Sequence, residues 1–179
     1  MAMKRIPRIL VVDDDLWVIS SYRHVLEGDV YGRASLACET TQKLDEELFG
    51  APARSAEPNA AWHVDFVDQG ENAVEKVRDA VDSGDPYAVV FLDMRMPPGM
   101  DGYDTAQLIR SIDPDVHIVI VSGFSDFTEE DLLEIAGPEG RLSFLPKPVW
   151  PDQLRAATAD LCQRGQHVTV RPQHDPRRP

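Results

Sequence analysis

The chain has 179 residues, about the length of one domain with an addition. Apolar residues make up 42% and charged residues 27%, as in ordinary globular proteins. Acidic residues outnumber basic ones by 31 to 18, and the net charge of −13 argues against direct binding to nucleic acid. No apolar run reaches the roughly 18 residues that a membrane helix needs. Cys38 and Cys162 lie far apart, so we expect reduced thiols and a cytoplasmic protein.

Five short apolar runs predict strands, and patterns with helical spacing follow them. The predicted strands are 8–12, 64–67, 87–92, 116–121 and 142–145. The predicted helices are 16–28, 73–81, 103–112, 126–136 and 152–163, the last one capped by Asp152. This alternation predicts an α/β fold with a doubly wound, five-stranded parallel sheet. In such sheets, ligands bind beyond the carboxyl ends of the strands, where the strand order reverses.

Two stretches lie outside this alternation. Residues 29–61 separate the first helix from the second strand, where about two to six residues would suffice, and we interpret them as an insertion. Within the insertion, residues 36–49 predict an extra helix. Residues 164–179 lack a core-forming pattern and predict a disordered tail, so the folded domain is expected to span 1–163.

Polar residues follow four of the predicted strands at one edge of the sheet. Asp13 and Asp14 follow the first strand, Asp93 the third, Ser122 the fourth and Lys147 the fifth. Three carboxylates repel one another unless a cation lies among them, and such oxygen ligands suit Mg²⁺. A lysine and a hydroxyl beside a metal-bound carboxylate form a site for a phosphoryl group. The pattern therefore predicts phosphoryl chemistry at this edge.

The motifs at the strand ends resemble the receiver domain of two-component response regulators. They are Ile-Leu-Val-Val-Asp-Asp-Asp (9–15), Val-Val-Phe-Leu-Asp-Met-Arg-Met-Pro-Pro-Gly-Met-Asp-Gly (89–102), Ile-Val-Ile-Val-Ser-Gly (118–123) and Phe-Leu-Pro-Lys-Pro (144–148). The resemblance covers about 8–163 and implies the (βα)5, flavodoxin-like fold. It also implies a phosphoacceptor signalling protein without an enzymatic output. Its partner would be a sensor histidine kinase or a phosphotransfer protein, and the resemblance also allows a homodimer.

The resemblance implies a role for each metal-binding position. Asp93 would accept the phosphoryl group from a phosphohistidine and would also bind Mg²⁺, which Mn²⁺ could replace. Asp14 would bind the metal directly, Asp13 through water, and Arg95 through its backbone carbonyl.

The resemblance also implies how the phosphoryl group is sensed. Ser122 and Lys147 would bind its oxygens. Phe144 occupies the position of the aromatic switch residue, which turns inward when the hydroxyl of Ser122 moves. Since Phe144 lacks a hydroxyl group, ring packing alone would carry the signal. The peptide bond between Lys147 and Pro148 would be cis.

The insertion and the sequence Pro-Pro-Gly at 97–99 resemble a subgroup of receivers that belong to hybrid sensor histidine kinases. No kinase core is visible in this chain. Arg95 and Phe124 lie two residues after Asp93 and Ser122, at positions that tune dephosphorylation in the family. Because both side chains are bulky, we expect slow hydrolysis of the phosphoryl group.

Two other functions compete with this one. A receiver fold that no longer switches would serve as a scaffold, independently of phosphorylation. Alternatively, Asp13 and Asp15 form the Asp-x-Asp pair of a Mg²⁺-dependent phosphohydrolase of the haloacid dehalogenase type. That family has Thr or Val where this chain has Trp17, and the reading leaves Asp93 without a role.

The remaining aromatic and histidine residues are expected to be structural. Trp17, Trp62 and Trp150 are interpreted as packing residues. The five histidines lack the spacing of a metal site, and we interpret them as structural or surface residues.

Overall fold

Five strands and four helices make up the part of the chain that the computed structural model describes, which is residues 5–27, 62–123, 135, 137 and 140–165. The strands are β1 (Arg8–Val12), β2 (His63–Val67), β3 (Val89–Asp93), β4 (His117–Ser122) and β5 (Leu142–Pro146). The helices are α1 (Leu16–Glu27), α2 (Gly70–Asp82), α3 (Gly102–Ile112) and α4 (Pro151–Gly165). None of these described helices is long and apolar enough to cross a membrane.

The strands form one parallel sheet in the order β2-β1-β3-β4-β5. The chain adds β2 on one side of β1 and then adds β3, β4 and β5 on the other side. The strand order therefore reverses between β1 and β3, where open α/β sheets form their ligand crevice. The prediction of a doubly wound, five-stranded parallel sheet is confirmed. Asp13 and Asp93 lie at the carboxyl ends of the two strands that flank the reversal.

The three central strands are buried on both faces because their side chains alternate between two apolar clusters. One cluster contains Leu10, Val90 and Ile118 and packs against α2 and α3. The other contains Phe91 and Val119 and packs against α1 and α4. Strands that are covered on both faces have continuous apolar sequences, which is why their prediction succeeded.

The observed element bounds depart from the predicted ones in small ways. The strands differ by at most two residues at either end, and α2 begins at Gly70 rather than at 73. The prediction that Asp152 caps the last helix is wrong, because α4 begins one residue earlier, at Pro151. Instead, the backbone N–H of Trp150 donates to Oε1 of Gln153 at 3.2 Å. This bond satisfies an amide that lies before the first turn.

Two of the three tryptophans do not pack in the interior, so that prediction is wrong for them. Trp17 is 83% exposed and Trp150 is 64% exposed. Trp17 is the second residue of α1, and Trp150 immediately precedes α4. Trp62 does pack against the α1 side of the sheet, and its Nε1 donates to the carbonyl of Leu26 at 3.1 Å.

Arg110, near the end of α3, binds the two connections that flank β4. Its guanidinium donates to the carbonyls of Pro114 at 2.9 Å and Val116 at 2.7 Å, just before β4. It also donates to the carbonyls of Arg141 at 3.1 Å and Ile135 at 3.4 Å, between β4 and β5. A single half-buried side chain thus binds four backbone carbonyls, and that of Arg141 also accepts from the N–H of Ile118 at 3.0 Å.

His117 begins β4 in a buried position. Its Nε2 lies 2.8 Å from Oγ of Ser143 on β5. Burial lowers the pKa of His117 to about 4, and the positive charges of Arg141 and Arg110 add to this effect. His117 is therefore neutral at physiological pH and acts as a structural residue, as the sequence indicated.

Several predicted features lie outside the described residues. These are the extra helix at 36–49 together with most of the insertion, and the tail beyond Gly165. Of the predicted helix 126–136, the structure describes Ile135, which is helical and buried. Helix α4 extends through Gly165, two residues into the segment that was predicted to be the tail.

Candidate functional site

Three carboxylates meet at the carboxyl edge of the sheet. Asp13 directly follows β1, Asp14 comes next, and Asp93 is the last residue of β3. Asp13 is 2% exposed and Asp93 is 7% exposed, whereas Asp14 is half-buried. One carboxylate oxygen of each residue lies within 4.8 Å of those of the other two. The fold therefore brings together the three acidic residues that the sequence pattern singled out.

Lys147 connects the two buried carboxylates. Its Nζ lies 2.9 Å from Oδ2 of Asp13 and 3.0 Å from Oδ2 of Asp93. Burial alone would lower the pKa of Lys147, but the two carboxylates outweigh burial and raise this pKa above its usual value. For Asp13, burial raises the pKa, while Lys147 opposes that change. The ammonium group is therefore charged at neutral pH and points at Asp93.

Backbone amides hold the other oxygen of each buried carboxylate. The N–H of Asp15 donates to Oδ1 of Asp13 at 2.9 Å, and the N–H of Met94 donates to Oδ1 of Asp93 at 2.7 Å. Each carboxylate thus has one oxygen on a backbone amide and the other on Lys147. Because both oxygens have partners, neither carboxylate can rotate freely, and the pair is oriented before any ligand arrives.

The acceptor loop, residues 94–101, connects β3 to α3. Met94 and Met96 are buried in the core, and Arg95 between them is exposed. The loop closes through a bond from the N–H of Gly102 to the carbonyl of Met94 at 3.0 Å. A Cβ at Gly102 would collide with the backbone of Asp93 and Met94, so only glycine lets α3 begin this close to the site.

Ser122 and Phe144 lie on the strands next to Asp93. Ser122 ends β4 and is buried, and its carbonyl accepts a bond from the N–H of Lys147 at 3.0 Å. Phe144 pairs with Ile120 on β5 and is 41% exposed. In this structure its ring is on the surface rather than inward. The peptide bond between Lys147 and Pro148 is cis, as the resemblance implied.

The residues at this edge fit a divalent cation. Three carboxyl groups share one ammonium group in a largely buried cluster, so acidic groups outnumber basic ones there. Uncompensated buried charge is costly, and a divalent cation would balance it. All the available donors are hard oxygens, which Mg²⁺ and Mn²⁺ prefer. The cluster is thus suited to hold Mg²⁺ through Asp13, Asp14 and Asp93.

Asp15 has a different role from the other acidic residues. Its Oδ1 accepts a bond from the N–H of Trp17 at 2.8 Å, so it caps the start of α1. The haloacid dehalogenase alternative needs Asp13 and Asp15 to act together. Since the side chain of Asp15 serves the helix, the geometry does not favour that alternative.

Sequence reasoning missed the contacts that orient the site. The backbone amides of Asp15 and Met94 are donors that every non-proline residue has, so the residue types give no indication of these bonds. Gln69 and Glu71, at the start of α2, contact the acceptor loop, and nothing in their spacing pointed to it. Such contacts form because two turns come together in the folded protein, and a local sequence pattern does not predict them.

Comparison with known proteins agrees with this geometry. The family model for the response regulator receiver domain matches residues 45–159. The response regulator receiver protein CpdR of Brucella abortus (strain 2308) is 33% identical over 66 residues, which are 37% of this chain and 50% of that protein. The cyclic di-GMP phosphodiesterase response regulator RpfG of Xanthomonas campestris pv. campestris (strain 8004) is 27% identical over 157 residues, or 87% of this chain and 32% of that protein. The chain thus spans half the length of the first relative and about a third of the second.

Solved structures show the same fold. A CheY-like receiver domain protein from Methanospirillum hungatei JF-1 aligns with a TM-score of 0.60 and 16% identity, covering 91% of this chain and 98% of that one. A structure titled adenylate cyclase from Rhodopirellula baltica aligns with a TM-score of 0.62 and 24% identity, covering 92% and 93%. The family match contains Asp93, Ser122 and Lys147, and the sheet places β1 with Asp13 beside them. The chain therefore belongs to the response regulator receiver domain family of two-component signalling.

Proposed function

We propose that Asp93 accepts a phosphoryl group from the phosphohistidine of a sensor histidine kinase or a phosphotransfer protein. An oxygen of Asp93 would attack phosphorus while the bond from phosphorus to the imidazole nitrogen breaks. The electron pair of that bond stays on the histidine, which then takes up a proton. The observation that carries this proposal is the ammonium group of Lys147, 3.0 Å from Asp93, because it can neutralise the charge of the transferring group.

The other residues of the cluster have supporting roles in this proposal. Asp14, Asp93, the carbonyl of Arg95 and, through water, Asp13 would hold Mg²⁺. When bound, Mg²⁺ would offset the negative charge on the phosphoryl oxygens. Lys147 would leave Oδ2 of Asp93 to pair with the phosphoryl group.

The phosphorylated domain would signal through altered protein contacts. The hydroxyl of Ser122 would bind a phosphoryl oxygen, and Phe144 would turn from its exposed position towards the space that Ser122 vacates. A change at β4 and β5 could then alter binding of a partner or of a second copy of the chain. A cytoplasmic location is part of this proposal. Phe124, one of the two residues expected to slow hydrolysis, lies outside the described residues.

Intact mass spectrometry tests the proposal directly. The chain is incubated with acetyl phosphate or phosphoramidate, with and without Mg²⁺. The wild type should gain one phosphoryl group only with Mg²⁺, and Asp93→Asn should gain none. Asp101→Asn is the matched control, because Asp101 caps α3 outside the cluster and Asn caps helices equally well.

Two results would contradict the proposal. A gain in Asp93→Asn would place the acceptor elsewhere. No gain in the folded wild type with either donor, or with a phosphorylated histidine phosphotransfer protein, would favour the alternative of a scaffold that acts without phosphorylation.

A further inference from the structure

The turn at Gln69–Glu71, where α2 begins, lies against the acceptor loop. Neither metal binding nor phosphoryl binding by the acidic cluster accounts for this contact. We propose that Glu71 is a positioning residue that holds the acceptor loop and thereby sets the affinity of the site for Mg²⁺. The inference rests on the proposed function, because it assumes that the loop supplies the carbonyl of Arg95 to the metal.

Glu71 makes the direct contact between the two segments. Its Oε1 accepts a hydrogen bond from the backbone N–H of Met100 at 2.9 Å. Its Oε2 lies close to Gly99, where an added Cβ would come within 2.9 Å of it. The carboxylate of Glu71 therefore covers the outer end of the acceptor loop at two successive residues.

Gln69 faces the same loop. It occupies the N-cap position of α2, yet its side chain makes no capping hydrogen bond. Its Oε1 is buried without a hydrogen-bond partner among the described residues, and a Cβ at Gly99 would collide with it. A buried amide oxygen without a partner is rare and costly. The side chain of Gln69 therefore lies against Gly99 rather than capping α2.

The amino ends of α2 and α3 pack closely behind these two turns. A Cβ at Gly70 would collide with Oγ1 of Thr105 and would come within 3.1 Å of the carbonyl of Met100. The amino ends of α2 and α3 thus touch. At its other end the loop is fixed by the buried Met94 and Met96. Arg95 lies between Met94 and Met96, and Glu71 holds the other end of the loop at Gly99 and Met100.

Loss of the bond from Met100 should loosen the outer half of the loop. A hydrogen bond to an exposed carboxylate contributes modestly, so we expect the Mg²⁺ dissociation constant to rise about fivefold in Glu71→Ala. The maximal phosphorylation rate at saturating Mg²⁺ should stay near that of the wild type. Only the Mg²⁺ concentration that gives half of this rate should rise, by the same factor.

Three variants separate positioning from general electrostatics. Glu71→Ala removes both the charge and the acceptor, whereas Glu71→Gln removes the charge and keeps an Oε1 acceptor. Glu75→Ala, at an exposed position one turn further along α2, removes the same charge away from the loop. We expect a weaker Mg²⁺ affinity in Glu71→Ala alone, and near wild-type affinity in the other two variants.

Two measurements need no phosphodonor. Titration with Mg²⁺, followed by calorimetry, gives the dissociation constant. Amide hydrogen exchange without metal should be faster at residues 97–101 in Glu71→Ala than in the wild type. If Glu71→Ala matches Glu75→Ala in both measurements, the inference is wrong. It is equally wrong if Glu71→Gln binds Mg²⁺ as weakly as Glu71→Ala, or if the wild type binds no Mg²⁺.

The outcomes also separate this inference from the proposed function. If the wild type binds Mg²⁺ but cannot be phosphorylated, and Glu71→Ala alone weakens that binding, the proposed function fails and the role of Glu71 stands. If the wild type is phosphorylated and Glu71→Ala binds Mg²⁺ normally, the proposed function stands and the role of Glu71 fails.

Discussion

Replacing Lys147 by Met should destabilise the protein strongly in the absence of Mg²⁺. The substitution leaves Asp13 and Asp93 buried without their shared cation. At an effective dielectric constant of about 20, two unit charges about 4 Å apart attract by about 4 kcal/mol, and Lys147 makes two such pairs. Its desolvation offsets part of this attraction, and about a third of its side chain is exposed. We therefore expect a net loss of about 3 kcal/mol.

Urea unfolding measures this loss. With a slope of about 2 kcal/mol per molar, the midpoint of Lys147→Met should fall by about 1.5 M. Lys76→Met is the matched control, because Lys76 is exposed and its Nζ lies 3.9 Å from Oδ1 of Asp65, whose Oδ2 keeps its bonds from Arg8 and Tyr87. A pair with an exposed lysine contributes less than about 1 kcal/mol, so this midpoint should move little.

Mg²⁺ should reverse much of the loss. A ligand at a hundredfold excess over its dissociation constant stabilises a protein by about 2.7 kcal/mol. At a Mg²⁺ concentration that gives this excess in the wild type, Lys147→Met should gain more, because the metal no longer meets a neighbouring ammonium group. The reasoning is refuted if both lysine variants unfold at the same midpoint, or if Mg²⁺ stabilises Lys147→Met less than the wild type.

Three other substitutions test interactions outside the acidic cluster. The native pKa of His117, about 4, lies below its unfolded value of about 6.5, so its contribution to stability is complete above pH 6.5 and is lost as the pH falls towards 4. The wild type should therefore lose up to about 3 kcal/mol more of its unfolding free energy than His117→Gln between neutral and acid pH. If the urea midpoint falls equally in both proteins from pH 7 to pH 4.5, this prediction is wrong. Arg110→Met should lose about 2–3 kcal/mol because four carbonyls each lose a hydrogen bond, although that of Arg141 keeps the N–H of Ile118. Arg155→Met, which loses one exposed bond to a carbonyl, should lose less than about 1 kcal/mol. Equal midpoints for these two arginine variants would argue against the role of Arg110. Gly102→Ala should lose about 1–3 kcal/mol and slow phosphorylation, since its Cβ collides with the backbone of Asp93, the proposed acceptor. Gly123→Ala, whose Cβ meets no described atom within 4 Å, is its control, and normal phosphorylation of Gly102→Ala would show that the loop can shift without cost.

The sheet and the acidic cluster could be predicted because their signals are local. A run such as Val89–Asp93 is apolar over its whole length since both faces of the strand are covered. Its end is marked by the first charged residue, Asp93. Once the strands are parallel, their carboxyl ends must share an edge, so Asp13, Asp93 and Lys147 come together without further information.

The features that were not predicted depend on how separate segments pack in the folded protein, which a local sequence pattern does not show. Trp17 and Trp150 are large apolar residues, which usually pack in the interior, yet both are exposed near the start of a helix. Asp152 stands where a cap is common, but Pro151 is already helical. The contact of Glu71 with Met100 joins two turns that lie 29 residues apart, and the sequence of neither turn indicates this contact.

The pair formed by Lys147 and Asp13 also has a consequence for folding during synthesis. These residues lie 134 positions apart, among the longest separations between hydrogen-bonded side chains in the described part of the chain. During synthesis β1 and β3 emerge long before β5, so the two carboxylates can meet on the ribosome while their ammonium partner does not yet exist. Contacts at such separation form late because the chain must first lose the entropy of a long closure. A partly synthesised or truncated receiver therefore lacks Lys147 at the site, and under the proposed function a kinase would meet a complete site only after the last strand has joined the sheet.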